Sequence, residues 1–171
     1  YSSGVANALA LISGDGRGGF RGSQNPFSGA ATTSNNVGIQ GTWRVSDGIN
    51  LAAWGGWLTA TGRSHDSTGV NRDGDWTEMW TWNANISFID LLTDGAVLTL
   101  AGGQLPKAGY VDGTFGRDKA QSWIVEGNYK YPVNDNISIT PGVYAIFNPN
   151  NSDGRNSDTI VVGVIRTVFK F

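Results

Sequence analysis

Hydrophobic and polar residues alternate with period two in segment after segment of this chain, and turn residues separate the segments. Alternation of this kind predicts β-strands, because successive side chains of a strand point to opposite faces of the sheet. Residues 1–35 contain a further candidate strand, VANALALI, followed by a Gly-, Ser- and Asn-rich loop. The seven clearer strands are predicted at residues 37–45, 49–59, 76–89, 96–103, 120–131, 137–147 and 159–171. The pattern predicts an all-β fold.

The connections between the predicted strands alternate in length. The short turns, rich in Asp, Asn and Gly, are residues 46–48, 90–95 and 133–136. The long polar loops are residues 60–75, 104–118 and 148–158. In an up-and-down antiparallel meander every second connection lies at the same end, so short turns and long loops separate, as they do in outer-membrane barrels. We therefore expect part of a transmembrane antiparallel up-and-down β-barrel.

Five of the predicted strands, at residues 37–45, 76–89, 120–131, 137–147 and 159–171, have one apolar face and one face that carries polar or charged residues. The aromatic residues of the apolar faces fall mostly near strand ends. Amphipathic rings suit a membrane interface. Glu78 is an exception on an apolar face, tolerable near the water interface or at a β-bulge. The pattern does not assign a face to Trp54. The predicted membrane-interface aromatics are Trp43, Trp76, Trp80, Trp82, Trp123, Tyr129 and Tyr131.

The opposite, polar faces are the predicted channel lining. Three of the cations, Arg44, Lys130 and Lys170, lie near the short-turn end of their strands, where a charged ring would give a mild local anion preference. The alternative is that such cations are solvated wall residues or pair with acids on other strands. The pore-lining candidates are Arg44, Glu126, Lys130, Arg166, Lys170, Asn83 and Asn85.

Composition narrows the class of protein further. Only 15% of the residues are charged, against roughly 25% in soluble domains, and the net charge is -2. This balance makes nucleic acid an unsuitable partner. There is no cysteine, so a disulfide framework and a thiolate metal site are excluded. The apolar runs are far shorter than the roughly 20 residues of a membrane helix, so a membrane would be crossed with strands.

The sequence gives only weak signals for a metal site, a phosphate-binding loop or a catalytic site. His65, Asp66, Asp73 and Asp75 lie in one predicted loop but lack the ordered ligand pattern of a calcium loop, which favours a solvated loop over a metal site. The glycine-rich residues 13–22 lack the GK[ST] ending and the strand-to-helix context of a phosphate loop. With one histidine in the chain, we expect neither an enzyme nor a cofactor.

The chain begins at Tyr1 without a leader, and we expect it to be the C-terminal part of a longer protein. An eight-stranded barrel is filled by side chains, whereas about 16 strands enclose an aqueous channel. Residues 1–171 would then supply seven or eight strands of a 16-stranded barrel domain, and the absent front would supply the rest.

Three segments, residues 25–57, 80–107 and 137–171, resemble cyanobacterial outer-membrane porins of the carbohydrate-selective porin (OprB) family. The resemblance implies a homotrimeric channel for inorganic ions, including iron, or small sugars, in the outer membrane of a cyanobacterium. It also implies an N-terminal SLH domain that binds a peptidoglycan-linked polymer, absent here. Ile165, Phe169 and Phe171 match the terminal pattern that the barrel-assembly machinery recognises.

Two other interpretations stay open at this point. A soluble, Trp-rich β-sandwich could stack sugars on Trp76, Trp80 and Trp82, burying one face of each sheet against the other. An outer-membrane barrel could also serve for anchoring or adhesion, with its loops as the active surface and no transport.

Overall fold

The structure is a computed structural model that describes residues 26–112, 120–149 and 159–170. Within these residues no helix is long or apolar enough to cross a membrane. The seven strands are β1 (Thr32–Ser46), β2 (Ile49–Gly62), β3 (Trp76–Ile89), β4 (Val97–Val111), β5 (Trp123–Asn134), β6 (Ile137–Phe147) and β7 (Ile160–Phe169).

The strands form one sheet in the order β1-β2-β3-β4-β5-β6-β7, and each pairs antiparallel with its neighbour in sequence. The predicted all-β, up-and-down antiparallel fold is confirmed. The bounds of β3 and β6 agree with prediction residue for residue. The candidate strand VANALALI lies outside the described residues, as does Phe171.

The prediction that strand β4 ends at Gly103 is wrong, because the strand continues to Val111 through the predicted loop. Two register shifts interrupt its pairing with β3, between Glu78 and Met79 and between Trp80 and Trp82. Pro106 lies in the second shift, where its missing N–H costs no ladder hydrogen bond. The bulges interrupt the alternation of apolar and polar residues, so the sequence pattern did not predict the second half of the strand.

Cross-strand partners share a face, so the register extends the two faces of each strand across the whole sheet. On the apolar face, Leu51 opposes Trp43 and Ile86. Trp54 opposes Gln40 and Asn83, which assigns its side chain to the polar face. Glu78 stays on the apolar face, beside a register shift, as the expected local bulge requires.

Both faces are largely open in the described sheet. Ile39 and Ile165 on the apolar face are 80% and 75% exposed. The seven described strands belong to one sheet, whereas a sandwich packs two sheets face to face. The main buried apolar cluster lies at the long-loop end and comprises Phe27, Ala30, Leu58, Ala60, Met79 and Ala108.

Candidate channel wall and membrane face

The apolar face carries aromatic residues at both ends of the sheet. Towards the long-loop end Trp123, at the start of β5, and Trp82, in the middle of β3, meet edge to face, with ring centroids 5.9 Å apart. At the short-turn end the Tyr129 hydroxyl donates to the Leu91 carbonyl at 2.9 Å. The register places Trp76 and Trp80 with the first belt and Trp43 and Tyr131 with the second.

The spacing of the two belts fits a membrane. Along β3, the distance from Trp80 to Phe88 is roughly 27 Å at about 3.4 Å per residue. With the strand tilted by about 40°, this becomes roughly 20 Å along the barrel axis, close to the apolar band of about 25 Å in outer-membrane barrels. Between Trp80 and Phe88 this face of β3 carries Trp82, Ala84 and Ile86, which suit hydrocarbon.

The polar face carries a line of hydroxyl and amide groups at mid-height. Ser87 and Thr99 are joined by a hydrogen bond of 3.0 Å between their hydroxyls. Asn128 donates from its side-chain amide to Glu126 at 3.2 Å. The pore-lining candidates Asn83 and Asn85 lie on this face of β3, and Arg166 lies on this face of β7 opposite Thr140.

The structure brings two of the three predicted short-turn cations together. Lys130 and Lys170 line one groove of about 380 Å³, which Asp94 and Asp135 also line. Arg44 lies apart on β1, where its guanidinium approaches the Asp47 carboxylate at 3.7 Å, with both side chains well exposed. The cations of this end are therefore accompanied by carboxylates.

Trp54 forms one side of a groove on the polar face. The side chain is 46% exposed and stands between the amides of Gln40 and Asn83 on the neighbouring strands. Gly38 and Gly56 oppose each other beside Trp54 and, because they lack side chains, leave the bottom of the groove unfilled. The groove measures about 500 Å³ and ends on Leu58 and Met79.

The connection between β2 and β3 is held by a buried ion pair. The Arg72 guanidinium donates to Asp66 at 2.9 Å and to Asp75 at 3.3 Å. Asp66 also accepts from the Thr68 hydroxyl at 2.6 Å and from the amide groups of Thr68 and Val70. These hydrogen bonds, that of the Thr68 hydroxyl foremost, hold the pKa of Asp66 well below its usual range. Its partner Asp66 raises the pKa of Arg72.

The same contacts occupy the carboxylates of the acidic loop. Asp66 and Asp75 direct carboxylate oxygens at Arg72, leaving them unavailable for a cation. Among described residues no group of three or more His, Cys, Asp or Glu side chains is placed to hold a metal ion. The loop is built around an internal salt bridge.

Three features of the structure were not predicted from the sequence: the Trp54 groove, the Phe27 cluster and the Asp66–Arg72 pair. A signal existed for the last, since Asp66 followed by Ser, Thr and Gly suits an aspartate-stabilised turn. No local signal existed for Phe27, because its partners lie on β2, β3 and β4.

A seven-stranded meander with an exposed apolar face between aromatic belts and a polar opposite face is the wall of an outer-membrane β-barrel. The family model described as carbohydrate-selective porin, OprB family, matches residues 4–171. The chain belongs to this family. Its members are outer-membrane channels rather than enzymes, which agrees with the prediction that the chain is not an enzyme.

Two cyanobacterial proteins are similar to the chain. One, an uncharacterized protein of Nostoc sp., is 33% identical over 141 residues, which cover 82% of this chain and 22% of that protein. The other, an uncharacterized protein of Synechocystis sp., is 34% identical over 153 residues, covering 82% of this chain and 27% of that protein. The chain thus spans about a quarter of the length of these relatives. No solved structure matches it.

Proposed function

We propose that the protein is an outer-membrane porin whose polar sheet face lines a water-filled channel for passive diffusion of small hydrophilic solutes. The observation that carries the proposal is the two-faced sheet. An exposed apolar face bounded by aromatic belts suits lipid, and the opposite face presents the hydroxyl, amide and charged groups of an aqueous wall.

The test is the conductance of the full-length protein in a planar bilayer. Ohmic single-channel steps in KCl are the expected result. Absence of conductance from folded, heat-modifiable protein would overturn the proposal and favour the anchoring or adhesion interpretation. Proteoliposome swelling with neutral sugars would then show whether the permeation path admits more than ions.

Within this proposal we assign small sugars to the solutes, beside inorganic ions. The description of the matching family names carbohydrates. The support from this chain is Trp54, an indole exposed on the polar face with Gln40 and Asn83 on either side. An aromatic face can cover the C–H side of a sugar ring while the flanking amides donate to and accept from its hydroxyls.

Sugar binding at Trp54 would reduce the ion current as sugar is added. Replacement of Trp54 by Ala should abolish this titration while leaving the KCl conductance of the sugar-free channel largely unchanged. Trp43→Ala is the matched control, because Trp43 lies on the apolar face and faces lipid in the proposal. Identical sugar titrations in the wild type and Trp54→Ala would remove sugars from the proposal.

Four further proposals rest on the family resemblance. They are a homotrimer, a cyanobacterial source, an N-terminal SLH domain that binds a peptidoglycan-linked polymer, and recognition of the terminal strand by the barrel-assembly machinery. For the last, Ile165 and Phe169 lie exposed on the apolar face of β7, where a docking protein could contact them. Gel filtration in detergent and assembly assays of Phe169→Ser would test the first and last of these.

A further inference from the structure

The long-loop end of the polar face is covered by the chain itself. Leu58, Met79 and Ala108 occupy polar-face positions, since Leu58 opposes Asn36 and Met79, and Met79 opposes Ala108. All three are buried, whereas most of the sheet is open. The cover is the segment 26–31 before β1, whose Phe27 side chain is 1% exposed and belongs to the same cluster.

Several hydrogen bonds fix this segment to the loop between β2 and β3. The Ser67 amide donates to the Ser28 carbonyl at 3.1 Å, and the Arg63 amide donates to the Ala31 carbonyl at 2.7 Å. The Ala31 amide donates to the Ser64 hydroxyl at 2.9 Å. The loop is in turn held by its buried Asp66–Arg72 pair. The position of segment 26–31 is therefore fixed by these contacts.

The segment 26–31 reverses direction on itself at this position. Ser28 and Gly29 both have positive φ, 51° and 88°, and the Ala30 amide donates back to the Phe27 carbonyl at 3.0 Å. This tight turn places Phe27 against the wall and leaves Gly29 exposed on the other side. The turn therefore lies over the polar face, with Phe27 and Ala30 in the buried cluster and Gly29 on the exposed side.

We infer that segment 26–31 is a size-selecting constriction at the long-loop mouth of the channel, anchored by Phe27. The inference rests on the proposed porin function, because only then does the polar face line a lumen. The segment carries no charged side chain, so its selection is by size rather than by the sign of charge. The segment and the Trp54 groove share two residues, since Leu58 and Met79 line the groove and belong to the Phe27 cluster.

The first experiment compares Phe27→Ala with wild-type full-length protein in planar bilayers. Loss of the anchoring ring frees the segment, so we expect a higher unit conductance and passage of larger neutral polyethylene glycols. Phe147→Ala is the matched control, since Phe147 lies on the apolar face of β6 at the same end of the sheet. An unchanged conductance and size cut-off in folded Phe27→Ala would overturn the inference.

A second experiment stands even if Phe27→Ala fails to assemble. The chain has no cysteine, so Ser28→Cys provides a unique thiol in it on the turn, and a full-length protein would have any other cysteines removed first. Labelling in detergent with a bulky methanethiosulfonate should lower the unit current, equally with cationic and anionic reagents. Ile39→Cys, on the lipid-facing side, is the control and should conduct normally after labelling. Full current through labelled Ser28→Cys would contradict a constriction here.

The two proposals fail in different ways. If the wild-type protein does not conduct, the porin function fails and the constriction, which requires a channel, fails with it. If the wild type conducts and both variants behave as their controls do, the porin function stands and the constriction at segment 26–31 is wrong.

Discussion

The two ends of the sheet are built by different means. At the long-loop end a buried apolar cluster and a buried ion pair fasten the segment 26–31 and the β2–β3 connection to the wall. At the short-turn end the strands reverse tightly, and the ion pair there, Arg44 with Asp47, is exposed to solvent. Segment 26–31 lies over the polar face at the long-loop end, whereas no described segment does so at the short-turn end.

This difference separates two properties that a channel needs. Tight reversals at the short-turn end hold neighbouring strands in register and leave the mouth clear. Ordered, buried chain at the other mouth can select solutes by size, because a packed segment keeps its position while solutes pass. Loss of a buried contact at the long-loop end should therefore disturb the loop structure, whereas loss of the exposed ion pair at the short-turn end should change it little. The predictions that follow test this contrast.

The largest loss of amide protection in the connection of residues 63–75 is expected from Arg72→Met. The substitution leaves the carboxylates of Asp66 and Asp75 without their shared cation. Asp66 keeps its hydrogen bonds from Thr68 and Val70, but a buried carboxylate that has lost its counter-charge is unfavourable. We expect the connection of residues 63–75 to open, with faster amide hydrogen exchange and new protease cleavage there.

Arg44→Met is the control for Arg72→Met at the opposite end. Its pair with Asp47 is well exposed, and exposed pairs contribute little to stability. Exchange near Asp47 should therefore stay close to that of the wild type. Equal sensitivity of the two ends to loss of the arginine would refute the contrast between them.

Gly62→Ala should have an intermediate effect. A Cβ at Gly62 would collide with the Arg72 backbone, which lies against the end of β2. Overpacking of this kind costs about 1–3 kcal/mol. We expect the Gly62 variant to lose protection in the same connection while its barrel still assembles, as judged by heat modifiability.

Gly41→Ala provides the comparison for that variant. Gly41 also lies in a strand, but a Cβ there would meet nothing within 4 Å. Its stability and exchange should match those of the wild type or improve slightly. If Gly41→Ala proved the more harmful of the two, the close approach of Arg72 to β2 would be wrong.

A smaller loss of amide protection in the same connection is expected at low pH. The folded pKa of Asp66 is lowered, so its carboxylate stabilises the folded loop fully above the ordinary aspartate pKa of about 3.9. The contribution is lost as the pH falls below that value toward the depressed folded pKa. Exchange of residues 63–75 should thus be steady from pH 7 to 5 after correction for intrinsic rates, and faster near pH 3.

Asp66→Asn isolates this contribution from those of the other acids. In this variant the amide exchange of residues 63–75 should not become faster between pH 5 and pH 3. Amide protection of these residues should already be reduced at neutral pH, because an amide cannot replace the charge opposite Arg72. An acid step of the same size in Asp66→Asn would assign the effect to another group.

Much of the wall could be predicted from sequence because its signal is local. Strand β3 alternates strictly, and its bounds and faces follow from the side-chain period alone. Trp54 could not be assigned, because the residues around it, Ala52 to Trp57, are apolar or glycine on both faces. Only its cross-strand partners, Gln40 and Asn83, identify the polar face.

The long-loop end could not be predicted for a different reason. Phe27 is one apolar residue in a polar stretch, and its burial depends on strands that follow much later in the chain. The second half of β4 carries bulges and depends on pairing with β3, which overrides the weak strand preference of a segment containing Pro106. Features formed by non-local contacts require the three-dimensional structure.

The smallest effect is expected at the short-turn end, from neutralising Arg44, Lys130 and Lys170 together with Gln. These cations would favour anions at that mouth, but Asp47, Asp94 and Asp135 lie near them and offset much of their charge. The reversal potential in a KCl gradient should shift slightly toward cation preference, more at low salt because screening is weaker there. The reciprocal variant, Asp94→Asn with Asp135→Asn, should shift it the other way. A reversal potential that neither variant moves would mean that this mouth is too wide or too well screened to select ions, leaving discrimination to the constricted end.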